Sequence, residues 1–156
     1  MEAMGIIRRS KSPWSSPLHL VPKKDGGLRP CGDYRRLNNA TTPDRYTVPF
    51  LTDAHSQLHG KTIFSKIDLI KSYYQIPVAA ADIQKTAVAT PFGLWEWTRC
   101  PFGLKNAGQA FQRLMHQALG DLPWAFVYMD DVLVASTSPE EHLQHLTVLF
   151  LSLIHI

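Results

Sequence analysis

Along the chain, short β-prone hydrophobic runs alternate with stretches at helix spacing. Leu18 to Pro22 reads as a strand, Lys23-Lys-Asp-Gly-Gly27 as a turn and Leu28 to Tyr34 as the returning strand, which makes a hairpin with a basic tip. Ahead of it, Ser10 to Pro17 is rich in Pro and Ser and predicts an extended lead-in, because proline fixes φ and disfavours helix at the residue before it. Thr41 to Pro49 is a loop punctuated by proline, and Leu51 to Leu58 predicts a short helix.

The pattern changes at Lys61. Thr62-Ile-Phe-Ser-Lys-Ile-Asp-Leu69 is a β-prone run ending in an acid, and Tyr74 to Val78 is strand-like. Asp82 to Thr86 reads as a turn, and Ala87 to Cys100, interrupted at Pro91-Phe-Gly93, as a hairpin. Ala107, Ala110, Phe111, Leu114, Met115 and Ala118 recur at helix spacing and predict a helix over Lys105 to Leu119. Ala125 to Ala135 holds two apolar runs separated by Asp130 and Asp131, which places those acids at the tip of a tight hairpin. Ser138-Pro-Glu-Glu141 combines an N-cap serine, proline at the first helical position and an acid at the third, so a helix is expected from there towards the chain end. Strands and helices mix without regular βαβ alternation, which points to the α+β class.

At 156 residues the chain has room for one domain with a real core, and its 45% hydrophobic and 19% charged content excludes a disordered chain. No apolar run approaches the roughly 20 residues of a membrane crossing, and the N-terminus lacks the pattern of a secretory signal. No membrane partner is therefore expected, and the location is expected to be intracellular. Cys31 and Cys100 stand alone, without a metal or redox pairing motif, and read as small apolar residues. The pairs His55/His59 and His142/His145 have helical spacing but no third ligand, and read as solvated helix faces. Charge is uneven: residues 1 to 45 hold nine Lys or Arg against four Asp or Glu, so the first third could face phosphates.

The chemistry concentrates in the acids. Two adjacent aspartates between aliphatic strands are poor turn residues, since tight hairpins favour Asn-Gly or Asp-Gly. Asp68 also closes a β-run, so neighbouring strands of one sheet would bring Asp68, Asp130 and Asp131 together. Three close carboxylates repel unless a cation neutralises them. Hard Mg²⁺ suits them, and two such ions serve phosphoryl transfer.

Phe64-Ser-Lys-Ile-Asp-Leu69 with Tyr73-Tyr-Gln-Ile-Pro77, Pro101-Phe-Gly-Leu-Lys-Asn106 with Phe111-Gln112, and Tyr128-Met-Asp-Asp131 resemble the successive motifs of reverse transcriptases, in order and spacing. The lead-in Ser12-Pro-Trp-Ser-Ser-Pro17, Val21-Pro-Lys-Lys-Asp25 and Arg29-Pro-Cys-Gly-Asp-Tyr-Arg-Arg-Leu-Asn38 is similar to the fingers of gypsy-type long-terminal-repeat retrotransposons. The resemblance spans about residues 2 to 150. It implies a polymerase right-hand fold, fingers and palm only, with an antiparallel palm sheet packed on helices. The fingers would cover about residues 1–46 and the palm about 47–150 with some fingers elements.

By position, the resemblance implies that Asp68, Asp130 and Asp131 hold two Mg²⁺ ions, for which Mn²⁺ could substitute. Lys23 or Lys24 and Arg29 would grip the incoming triphosphate, Tyr73 would pack against its sugar, and Phe102 would contact the nucleotide. Tyr46 and Tyr74 remain alternatives for the aromatic wall. Asp33, Arg35, Asn38 and Gly103 would face template and primer, and Tyr128 and Met129 the primer end; Gln112 could simply be exposed. Leu28, Ser72, Tyr74 and Gly108 depart from the family's usual residues without removing a metal ligand.

The implied function is RNA-directed DNA polymerisation, with deoxynucleoside triphosphates as substrate and an RNA or DNA template carrying a primer. Thumb, connection and RNase H are absent, so the chain reads as a polyprotein fragment expected in the cytoplasm or in virus-like particles. Residues 151–156 do not resemble the family's helix continuation and read as a non-native tail. The alternative is a truncated remnant that folds or binds nucleic acid without polymerising.

Overall fold

The computed structural model describes residues 1–22, 26–49 and 58–154. Lys23, Lys24, His55 and residues 51–57 of the helix expected over Leu51–Leu58 lie outside the described residues. The chain forms two compact units, one of residues 1–44 and 71–107, the other of residues 45–70 and 108–156.

The first unit is built on a five-stranded sheet of order β1-β6-β5-β2-β3. Its strands are β1 (Ile7–Arg9), β2 (Ser16–Pro22), β3 (Leu28–Gly32), β5 (Val88–Thr90) and β6 (Gly93–Trp97). The β2–β3 and β5–β6 hairpins fall where the hydrophobic runs predict them. Ile6, Tyr34, Val88 and Trp97 form the buried centre, with Leu18, Leu37 and Tyr74 packed against it. Gly32 is needed there, because a Cβ on it would lie 2.4 Å from the Tyr34 ring, whose hydroxyl donates to the Thr86 carbonyl at 2.9 Å.

This unit adds one short helix to the elements read from the sequence and corrects one strand. Helix α1 (Arg35–Ala40) follows β3, and the Asp33 carboxylate accepts the Arg35 backbone N–H at 3.3 Å, a local turn bond that helps redirect the chain out of the strand. Tyr74 to Val78 is not a strand: Ser72–Gln75 is a 3₁₀ turn, entered through Lys71 at φ 58°. Beyond it the chain makes only an isolated bridge, Pro77 to Arg99, flanked by bonds from the Val78 N–H to the Thr98 carbonyl at 3.0 Å and from the Cys100 N–H to the Ile76 carbonyl at 2.8 Å.

The second unit contains an antiparallel sheet of order β4-β8-β7, made of β4 (Ile63–Asp68), β7 (Ala125–Tyr128) and β8 (Asp131–Ser136). Helix α2 (Ala107–Leu119) buries Ala107, Phe111, Met115 and Leu119, a stripe that takes in three of the predicted positions, while Ala110, Leu114 and Ala118 are half-buried beside it. Helix α3 (Pro139–Ile154) is capped as read: the Ser138 hydroxyl accepts the Glu141 N–H at 3.2 Å. The Glu141 carboxylate reaches back one residue further, to the N–H and hydroxyl of Thr137. The helix continues to Ile154, so the segment read as a non-native tail is helical through that residue.

His142 and His145 do not form a solvated face. His142 is 8% exposed and bonds the hydroxyls of Ser65 and Ser136 at 2.8 Å each, and His145 also bonds Ser136 while stacking on Trp124. The pair therefore pins α3 to β4 and β8. Helical spacing marks which residues share a face but not which way it points.

Candidate active site

Antiparallel pairing of β4 with β8 runs from Ile63 opposite Ser136 to Asp68 opposite Asp131. Residues directly opposite share a face, and two like charges in that relation destabilise a sheet. The strands nevertheless end on this aspartate pair. Asp130 is the next residue, and its carbonyl accepts the Leu69 N–H at 3.1 Å, carrying the β4–β8 ladder one step past the pair. Backbone register thus gathers the three acids at one end of the sheet.

The hairpin differs in detail from its reading. Tyr128 pairs with Asp131, so the two turn residues are Met129 and Asp130, and Asp131 opens β8. Met129 has φ 51°, a left-handed conformation that tight hairpins ordinarily assign to Gly, Asn or Asp. Gln112 holds it in place: its side-chain oxygen accepts the Met129 N–H at 3.1 Å while its amide donates to the Val127 carbonyl at 3.1 Å. Gln112 is fully buried, which corrects its reading as exposed. The amide also donates to His116 Nε2 at 2.9 Å, leaving His116 Nδ1 to donate to the Tyr46 hydroxyl at 2.8 Å.

Among the described residues no group of three or more His, Cys, Asp or Glu side chains is arranged to hold a metal. The donor chemistry itself fits a hard cation: the end of the sheet offers carboxylates from Asp68 and Asp131 in direct register, with Asp130 adjoining. A cationic group already sits on one of them. Lys66, two residues before Asp68 on the same face of β4, places Nζ 2.9 Å from Asp131 Oδ2. Its ammonium stays charged to higher pH than usual because of that bond and of the charges of Asp131 and Asp68.

A second group of predicted residues assembles in the first unit. The Arg29 guanidinium lies 4.5 Å from the centre of the Phe102 ring, and Tyr73 meets the same ring edge-on at 5.3 Å. Tyr74, the alternative wall residue, also contacts Phe102 and stacks on Trp97. Asn38 donates from its amide to the Gly103 carbonyl at 2.7 Å and accepts the Lys105 N–H at 2.9 Å. Gly103 takes φ 92°, which a side chain would strain. Asp33 and Arg35 pair with each other, Nε to Oδ1 at 2.8 Å, and the bond holds the Asp33 carboxyl down to about 2.

Sequence reasoning overlooked Lys66 and undervalued Gln112. A lysine two places before an acid in a strand shares its face, so the period of two was a usable signal for Lys66. Gln112 stands in a quoted motif and four residues before His116, but its two bonds to the backbone of the distant hairpin left no mark in the sequence.

The family model described as reverse transcriptase (RNA-dependent DNA polymerase) matches residues 21–154. The chain is 41% identical over 96% of its length to the retrovirus-related Pol polyprotein from transposon 297 of Drosophila melanogaster, of which it spans 15%. It is 38% identical over 90% of its length to the transposon Tf2-3 polyprotein of Schizosaccharomyces pombe, spanning 11% of that protein. A foamy viral protease-reverse transcriptase in complex with double-stranded DNA superposes with a TM-score of 0.92 at 26% identity, covering 99% of this chain and 27% of its own. The same viral protein in complex with an RNA/DNA hybrid gives 0.87 at 26% identity, covering 96% of this chain and 20% of its own. The α+β architecture is that of reverse transcriptase fingers and palm, and the chain belongs to the reverse transcriptase family.

Proposed function

We propose that this chain is the fingers-and-palm portion of a gypsy-type retrotransposon polymerase that extends a primer on an RNA or DNA template with deoxynucleotides. The observation that carries the reading is the acidic end of the β4–β8–β7 sheet, where Asp68 faces Asp131 and Asp130 occupies the adjoining turn. A fold accepts like charges in register where function uses them. Asp68, Asp130 and Asp131 would hold two Mg²⁺ or Mn²⁺ ions, which when bound supply the Lewis acidity that activates an attacking hydroxyl and stabilises a leaving oxygen.

The protein's own groups then bind and orient. Arg29 offers a forked cation to phosphate while its other surface lies over Phe102. Tyr73, buttressed edge-on by Phe102, presents a rigid aromatic wall suited to excluding a sugar with a 2′-hydroxyl. Lys23 or Lys24 would add a cation to the triphosphate. Asn38, with Gly103, and the pair Asp33–Arg35 would meet the template, and Tyr128 and Met129 the primer end. The thumb and RNase H of the polyprotein would complete the enzyme, in the cytoplasm or in virus-like particles. Among the described residues no helix is long and apolar enough to cross a membrane.

Primer extension with Mg²⁺, in a longer chain carrying the thumb, tests the reading. Asp68→Asn and Asp130→Asn keep the shape of the side chain and lose the charge, and each is expected to reduce extension by at least about a hundredfold. Extension by either variant at more than about a tenth of the parent rate would overturn the two-metal assignment.

A further inference from the structure

We propose that Lys66 is a built-in counter-ion of the acidic site, occupying the Asp131 carboxylate until a divalent cation displaces it. The inference rests on the proposed metal role of the three aspartates and adds a residue to it.

Strand β4 alternates, so Phe64, Lys66 and Asp68 point to one face and Ile63, Ser65 and Ile67 to the other. Asp131 lies opposite Asp68 and therefore shares that face. From its place two residues along the strand, Lys66 reaches diagonally to Asp131 Oδ2 at 2.9 Å. Without it, the facing Asp68 and Asp131 would repel with only water between them. With it, the sheet end carries an internal cation.

The pair is suited to exchange. The Lys66 side chain is 67% exposed and that of Asp131 43%, so solvent screens their attraction. Lysine is a point charge on a flexible four-carbon stem, without the two-pronged grip of arginine, and it can swing aside as one unit. A divalent ion competing for Asp131 replaces a single weakly held charge with a doubly charged one. Lys66 thus keeps the empty site from straining the sheet, at the expense of metal affinity.

The test is Mn²⁺ binding to this chain, followed by electron paramagnetic resonance of the free ion at low ionic strength. Lys66→Gln and Lys66→Met, checked for folding by circular dichroism, are expected to bind Mn²⁺ about threefold or more tightly than the parent. Lys66→Arg should bind Mn²⁺ no more tightly than the parent, and the distant Lys11→Gln should match the parent within about twofold. Equal or weaker binding by both Lys66→Gln and Lys66→Met, while Asp68→Asn and Asp131→Asn still abolish binding, would overturn the role of Lys66 and leave the metal reading standing. Parent-like binding by Asp68→Asn and Asp131→Asn would instead overturn the metal reading, and the role of Lys66 with it.

Discussion

Met129 is a long, unbranched side chain in a backbone conformation that costs a non-glycine residue on the order of 1 kcal/mol. Its hairpin carries Asp130 in the turn and Asp131 just beyond, so relaxation of the turn would move two of the three acids. Gln112 opposes that relaxation with one bond on each side of Tyr128, to Val127 and to Met129. Replacing it by leucine keeps the volume and leaves the Met129 N–H and the Val127 carbonyl without this partner. We expect Gln112→Leu to destabilise the chain by about 1–3 kcal/mol in urea unfolding. In the thumb-bearing chain it should lower kcat more than it raises KM for nucleotide. An unchanged unfolding midpoint would show that the turn holds itself.

At the scale of elements, helix α3 is fixed to its sheet by polar bonds rather than by an apolar stripe alone. Ser65, Ser136, His142 and His145 connect it to β4 and β8, and Glu141 ties its first turn to Thr137. Burial lowers the pKa of His145 from its ordinary 6.5, and neighbouring Lys61 and His142 add to that effect against the opposing charge of Glu141. A histidine whose folded pKa is depressed takes up protons more readily unfolded, so its contribution is fully present above about pH 6.5 and is lost as pH falls through the lowered folded value. The bonds of Glu141 to Thr137 hold its carboxyl down to about 2, and that contribution is lost only in stronger acid. The melting midpoint should therefore fall between pH 7 and pH 5, with a shallower slope in His145→Asn. Equal slopes in parent and variant would assign the acid sensitivity elsewhere.

At the scale of the whole molecule, the strands and helices that carry the site were legible because their signals are local. An acid closing a β-run marked Asp68, paired acids between aliphatic runs marked the β7–β8 hairpin, and Ser138 to Glu141 marked the start of α3. What stayed hidden depends on pairing at a distance. The Tyr74 to Val78 run gives up its first residues to a 3₁₀ turn, and the roles of Gln112 and Lys66 exist only once β4, β7, β8 and α2 have met. The division of the chain into two interleaved units, with residues 71–107 returning to the first, had no mark in composition.

The proposed divalent-metal site at the end of the β4–β8–β7 sheet joins Asp68, Asp130 and Asp131. Anomalous diffraction from a crystal of this chain soaked in Mn²⁺ would locate the bound ion. We expect an anomalous peak within about 2.5 Å of carboxylate oxygens of Asp68 and at least one of Asp130 and Asp131, with Lys66 Nζ moved off Asp131. Manganese bound elsewhere, with the Lys66–Asp131 bond intact, would contradict it.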